Sequence, residues 1–559
     1  MNIENFFITA LVRAGTCPTH ATWERTRKTS SVSKGNHKFR RKSPDSGTSA
    51  RRFYSRHSKD ELNDEAEESI AEPKLPKPEL SREELRDLVD IYGEFKRRFK
   101  EEQQEQEEEP SDAEPTPPLE TVHPGIKDVF YFTDNEARVG LHQNMAIENL
   151  VHELKVHLDD RKTALDVVWE AYHKLPAPRA NYLSLQMLGR LLWHMGVVKN
   201  LDETVIYRYM SIIEDMTAAK RKVSVKDWNT AISLVGRSMG KITAENVENS
   251  IKLWKDMEKD AGTLGDHVTF SILFDLAVKS EQYVLAEMIE KEARARGLKF
   301  DRVSLMGQIY YQGVRGDGIG VRRAYSDLVD AGEIVDTFVL TNVITSLINA
   351  GELPAAEMTF ARMKRLHASK QGATLPPDDW YEERALQDIL RDAADRFRTD
   401  VDGRLNFQEA SPIAPNWRTY RAFIQYHTNF SGNYDQVVRL VEDMQQYGIR
   451  MNGPIYYCIF HGFMKHGGIR YTRWRLTLLE GFWERYLRGV RDDPEEFFFG
   501  HGLALMVIKA FAKCAGRQRA SEIWTDLRNQ WHPPDKTLRA VNDILENTAR
   551  LEQKSRWER

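Results

Sequence analysis

"HVTFSILFDLAVKSEQYVLAEMIEKEARARGLKFD" spans residues 267–301. Val268, Phe270, Leu273, Phe274 and Ala277 fall at helical spacing and give one apolar stripe. A polar break at Lys279, Ser280, Glu281 and Gln282 is followed by a second stripe of Tyr283, Leu285, Ala286 and Ile289. Gly297 stands where a helix takes a left-handed closing residue, and the stretch ends on Asp301. The pattern predicts two short helices joined by a turn. Such a hairpin buries too little apolar surface to be stable alone, so it needs neighbours of its own kind.

The neighbours are present. "RVSLMGQIYYQGVRGDGIGVRRAYSDLVDAGEIVD" (302–336) has the same length and again closes on Asp. "TFVLTNVITSLINAGELPAAEMTFARMKRL" opens at 337 and reaches Asp378 after a loop insertion, and "VKDWNTAISLVGRSMG" opens at Val225 and reaches Asp266. Further windows cover 417–452, 453–500 and 501–535, with weaker openings near Tyr182 and near 150. The fold expected is all-α: an α-solenoid, a right-handed superhelix of helix-turn-helix repeats of about 35 residues. The endings "GLKFD", "GEIVD" and "HPPD" resemble the Gly-x-x-Pro-Asp close of the pentatricopeptide repeat, and "VTFSILFDLAVK" resembles its opening. Over roughly 180–535 the chain resembles a pentatricopeptide repeat protein of the organellar type.

The resemblance implies single-stranded RNA as partner, read at about one base per repeat by the fifth and last residues of each window. Those positions are Asn229 with Asp266, Ser271 with Asp301, Met306 with Asp336, and Thr341 with Asp378. In the family, Asn with Asp favours uracil, and Ser or Thr with Asp favours guanine. Met306 departs from the pattern, as do Arg421, Tyr457 and Leu505 in later windows. A terminal Asp also suits a helix cap, and the two roles are compatible. The thirteenth residues form a second column, Arg237, Lys279, Val314, Asn349, Asn429, Lys465 and Lys513. Stacking would align Arg237, Lys279, Lys465 and Lys513 as a stripe able to follow phosphates. "GIRYTRWRLTLLEGFWERYLRGVR" (468–491) adds arginines among Tyr and Trp, a mix that suits RNA backbone contact and base stacking, with Trp474 and Trp483 expected in the core.

Charge is unevenly spread over the 559 residues, whose formal net charge is −4. Residues 1–54 carry 11 Lys/Arg and 3 Asp/Glu, residues 60–120 carry 8 and 22, and residues 121–559 hold 59 of each. The repeat body is therefore neutral overall, and RNA binding would rest on local cations. The basic, Ser/Thr-rich start, opening with "FFITALVR", is read as a mitochondrial transit peptide. "RRFYS" resembles a matrix-processing site cut between Tyr54 and Ser55. Three cysteines, one of them Cys17 in that segment, supply neither a disulfide framework nor a zinc set. No apolar run reaches the ~18 residues of a membrane span.

The organisation expected is a transit peptide (1–54), an acidic, Pro-flanked disordered linker (55–120), degenerate helical repeats (121–224), pentatricopeptide repeats (225–378), an inserted helix and loop (379–416), further repeats (417–535) and a charged helical tail (536–559). Within the linker, a Ser81/Glu84 capping box opens a helix with Leu85, Leu88, Tyr92, Phe95 and Phe99 on one face, read as transient and solvated. "RTDVDGRLNFQE" (398–409) has calcium-loop spacing, but Arg398 occupies the first ligand position, so it is read as a Gly-centred turn between repeats. "GVRGDGIG" (313–320) lacks the Lys-Ser/Thr of a phosphate loop and is a turn. No cofactor, metal, DNA or enzyme activity is expected. The reading is a mitochondrial matrix protein, peripheral to the inner membrane at most, that binds mRNA or rRNA. The alternative is a protein-binding scaffold, such as a respiratory-complex assembly factor or a mitoribosome-associated protein.

Overall fold

The computed structural model describes residues 81–89, 145–160, 163–198, 201–237, 242–369, 375–377, 380–397, 400–494 and 496–557. The transit-peptide segment with Tyr54 and Ser55, and Asp378, lie outside the described residues. Among the described residues the regular structure is helical throughout. A short helix α1 (Arg82–Asp87) precedes the hairpins α2/α3 (Met145–Asp159, Leu165–His173), α4/α5 (Leu185–Gly196, Glu203–Ala218) and α6/α7 (Val225–Gly236, Ala244–Lys259). Next come α8/α9 (His267–Lys279, Tyr283–Ala295), α10/α11 (Arg302–Val314, Gly318–Asp330) and α12/α13 (Thr337–Asn349, Leu353–Ser369). An inserted pair α14/α15 (Trp380–Arg396, Val401–Ala410) separates these from α16/α17 (Trp417–Tyr426, Tyr434–Gln446). The hairpins α18/α19 (Gly453–His466, Leu476–Asp492) and α20/α21 (His501–Ala515, Arg517–Gln530) follow, and α22 (Asp535–Trp557) closes the series.

Local chemistry sets the helix ends. Asp266, Asp301, Asp336, Asn416 and Asn452 each cap a first helix, the side chain accepting the N–H of the third helical residue. Gly297 ends α9 at φ +67°, and Leu298 N–H bonds the Ala293 carbonyl, a six-residue closure that needs the left-handed conformation. Each hairpin leaves one apolar face open, and the next hairpin covers it. First helices pack on first helices from α4 through α6, α8, α10 and α12, then directly onto α16, α18, α20 and α22. The chain is an α-solenoid whose first-helix layer runs on past the insertion. At Gly313 the layer is tight enough that a Cβ would sit 2.6 Å from the Ser346 backbone.

The acidic segment is partly built into the solenoid, which corrects the reading of a solvated transient helix. Leu85, Leu88 and Val89 are buried against α11, and the Tyr325 hydroxyl donates to the Leu85 carbonyl at 2.7 Å. Arg86 pairs with Asp330, and both bonds of the Ser81/Glu84 capping box form, at 2.9 and 3.3 Å. Burial of three apolar side chains, each stabilising by about 1.5–3 kcal/mol before entropy, holds the helix that water would leave frayed. The other aromatic positions of that face lie outside the described residues.

Residues 400–410 are corrected too. Asp400 caps α15 by accepting the Gly403 N–H at 3.0 Å, so Asp402, Gly403 and Glu409 lie on a helix of the insertion and not in a turn between repeats. Two helical turns separate Asp402 from Glu409 by about 10 Å along the axis, too far to converge on one ion. At 313–320 the expected turn forms: Gly316 takes φ +81° and Asp317 caps α11. No helix among the described residues is long and apolar enough to cross a membrane.

Candidate nucleic-acid interface

The fifth residue of each window lies on a first helix, and in the windows that end on Asp266, Asp301, Asp336 and Asn452 the last residue caps the next first helix. Stacking therefore brings the two together between neighbouring repeats. Asn229 donates from its amide to Asp266 at 2.9 Å and accepts the Thr269 hydroxyl at 2.6 Å. Asp266 and Thr269 in turn complete a capping box on α8. Burial alone would raise the Asp266 carboxyl, but bonds from the Thr269 N–H, the Asn229 amide and the Thr269 hydroxyl, with His267 nearby, hold it below the usual carboxylate range.

The arrangement recurs one repeat on. Ser271 contacts the Ser304 hydroxyl, and Ser304 donates from its hydroxyl and N–H to Asp301 at 2.7 and 2.9 Å. It recurs again at Thr341, whose hydroxyl meets that of Thr419 at 2.7 Å, with Thr419 bonded to Asn416 at 3.2 Å. In each case a polar third residue bridges the fifth residue to the cap. Sequence reasoning paired Thr341 with Asp378; the structure places Asn416 there, because α16 rather than the inserted α14 stacks on α12. Thr269, Ser304 and Thr419 were missed, although Asp or Asn followed three residues later by Ser or Thr is the capping-box spacing itself.

The third pair is closed. Asp336 is 1% exposed; Met306 is buried, as are Asn229, Thr341 and Asn416, so what closes this pair is the apolar fifth residue and the commitment of Asp336 to a buried cation. Asp336 Oδ1 accepts from Arg302 Nη2 at 2.6 Å and the Val339 N–H at 3.0 Å, while Oδ2 accepts from Gln387 of α14 at 2.8 Å. Arg302, 2% exposed, also donates to the Ile334 carbonyl. The insertion is pinned over this position by Gln408, which bonds the Val335 carbonyl and N–H at 2.6 and 2.7 Å.

The thirteenth-residue column forms two linked runs at the ends of the first helices. Arg237 and Lys279 both pair with Asp275, at 3.2 and 2.7 Å, so one carboxylate serves two cations. Lys465 donates to the Asn429 carbonyl, and Lys513 donates to the Lys465 carbonyl at 2.6 Å. Each ammonium thus reaches back to the thirteenth residue of the preceding window. These two donate to backbone carbonyls, which bring no counter-charge to the ammonium groups. His466 registers their charge: burial, then Lys465 and Lys513, push its imidazole below the usual range against the Thr428 carbonyl, which supports the charged form. In the arginine-rich stretch, Trp474 and Trp483 are buried as expected, and Arg485, Arg488 and Arg491 fall on the second helix α19.

No family model and no curated protein matches the chain. Solved structures give neighbours that are pentatricopeptide repeat proteins. One is the pentatricopeptide repeat protein PPR10 in complex with an 18-nt psaJ RNA element, 16% identical, covering 71% of this chain and 58% of that chain at a TM-score of 0.29. Another is PPR10 from maize, 13% identical, covering 73% of this chain and 56% of that one at a TM-score of 0.24. The chain spans under three fifths of these neighbours' length.

Proposed function

We propose that this chain is an organellar protein of the mitochondrial matrix that binds single-stranded mRNA or rRNA in a sequence-selective way. It would act in transcript stability, processing or translation, by binding and without covalent chemistry of its own. The observation that supports this most is the recurrence of one hydrogen-bonded unit, fifth residue to bridging hydroxyl to cap, at the same level of three of the four first-helix contacts from α6 to α16, Met306 interrupting the series. A solenoid needs no such polar unit in order to pack. A reader of bases needs short polar side chains held in fixed orientation at a regular spacing. Base contact is assigned to Asn229 with Asp266, to Ser271 with Asp301, and to Thr341 with Asn416. Phosphate contact is assigned to Lys465 and Lys513, and more weakly to Arg237 and Lys279, which Asp275 already half neutralises.

Selection from a random single-stranded RNA pool tests both parts. Asn229→Ser should move the preference at one position away from uracil at a cost of about 1 kcal/mol, because one hydrogen-bonding group replaces another. Lys465→Gln with Lys513→Gln should weaken binding to all sequences alike and flatten the salt dependence by up to ~0.7 per lost contact, with a smaller change for Arg237→Gln and Lys279→Gln. Preferences and slopes identical to wild type would remove the RNA reading. The neutral charge of residues 121–559 favours a protein-binding scaffold as the second reading, and a salt-insensitive partner protein would then take precedence. Import is tested separately: sequencing the amino terminus of organelle-purified protein should start at Ser55, and an intact Met1 would overturn it.

A further inference from the structure

The connection between α18 and α19 departs from its counterparts. Three residues join the helices at 280–282, 315–317 and 350–352, whereas residues 467–475 do so here. This loop, "GGIRYTRWR", has three arginines and no acid. Its base is fixed beside the cation column, where a Cβ on Gly468 would overlap the Lys513 carbonyl. Its far end is anchored by buried Trp474, which donates to the Gly432 carbonyl at 2.8 Å. Between the anchors, Ile469 and Tyr471 are 62% and 99% exposed, and Arg470 is exposed beside them. Tyr471 takes φ +65°, a conformation that favours glycine and disfavours a bulky side chain. On the adjacent repeat Phe430 is 56% exposed, with Lys465 Nζ 5.6 Å from its ring centroid.

We propose that this loop and the column beside it form a second contact for single-stranded RNA, apart from the base-reading positions. Tyr471 stacks on a base, while Arg470, Lys465 and Lys513 take phosphates. The inference rests on the RNA-binding reading above. Exposed rings interleaved with cations match a polyanion that carries planar faces. A protein-docking face would instead gather apolar side chains into a core with the charges at its rim. Here Lys465 stands over Phe430, and Arg470 lies between Ile469 and Tyr471 in the chain.

The test uses the full chain and a labelled single-stranded RNA pool. Tyr471→Gly removes the ring and suits the backbone conformation, so its melting temperature should match or exceed that of wild type. Its RNA affinity should fall about tenfold. Tyr471→Phe keeps the ring and should bind as wild type does. Arg470→Gln should lower the salt slope by up to ~0.7. If Tyr471→Gly binds RNA like wild type, the loop contact is overturned while the base-reading assignment stands. A Tyr471→Phe loss as large as that of Tyr471→Gly overturns stacking. Loss of a co-purifying protein at unchanged RNA affinity overturns the RNA assignment of the loop in favour of a protein contact. Failure of wild type to bind RNA overturns the reading on which the inference rests.

Discussion

Replacing Asp336 with Leu is expected to cost about 3–5 kcal/mol of stability, because it strands the buried Arg302 guanidinium without its counter-charge. Arg302 keeps only the Ile334 carbonyl and a long 3.4 Å contact to Gln387 Oε1. The loss should be local. A solenoid is held together by contacts between neighbouring repeats, so α10 to α12 and the insertion should open before the ends do. Urea unfolding combined with amide hydrogen exchange reads both the size and the location of the effect. The joint exchange Arg302→Met with Asp336→Leu should recover most of the stability, since a buried pair replaced by apolar groups of similar volume is often neutral. A single-variant loss below ~1 kcal/mol would mean that water reaches the pair, against the enclosure described above.

Replacing Trp474 with Ala should cost about 3–5 kcal/mol, the range for deleting a buried aromatic. The indole packs edge-on to Phe463 at 5.0 Å and Tyr434 at 5.1 Å, and its N–H is satisfied by Gly432. Gly462 faces the ring, where a Cβ would overlap it. Trp474→Phe should lose less, since much of the packing remains. Trp474→Phe, which keeps a buried ring at the loop's anchor, should leave the RNA affinity of the folded protein unchanged, which separates this tryptophan from Tyr471 three residues earlier. Thermal unfolding paired with RNA titration below the transition checks both halves. A fall in affinity without a fall in stability would make Trp474 a stacking residue.

The contrast between these two aromatics shows what was legible. Both stand in one arginine-rich stretch, and the sequence alone pointed to core for Trp474. It marked the stretch as suited to backbone contact and base stacking without singling out Tyr471, whose exposure only the structure shows. The hairpins, by contrast, could be read one at a time. An apolar stripe, a capping Asp and a closing glycine each act within three to six residues, so their spacing along the chain carries the helix ends and the period. The placement of Asn229 beside Asp266 was legible for the same reason, since adjacent hairpins of regular length must stack.

What the sequence by itself determined is therefore the repeat, its boundaries, and the partnership of neighbouring windows wherever their length is regular. Tertiary structure alone decided the rest. It set Asn416 and Thr419 beside Thr341, put Gln387 over Asp336, and seated the helix at 82–87 on α11. The physical reason is the same in all three cases. Local hydrogen bonds and helical periodicity are properties of a few consecutive residues. Which surface covers a given face across a long insertion is settled by the apolar area and polar satisfaction available to the whole stack.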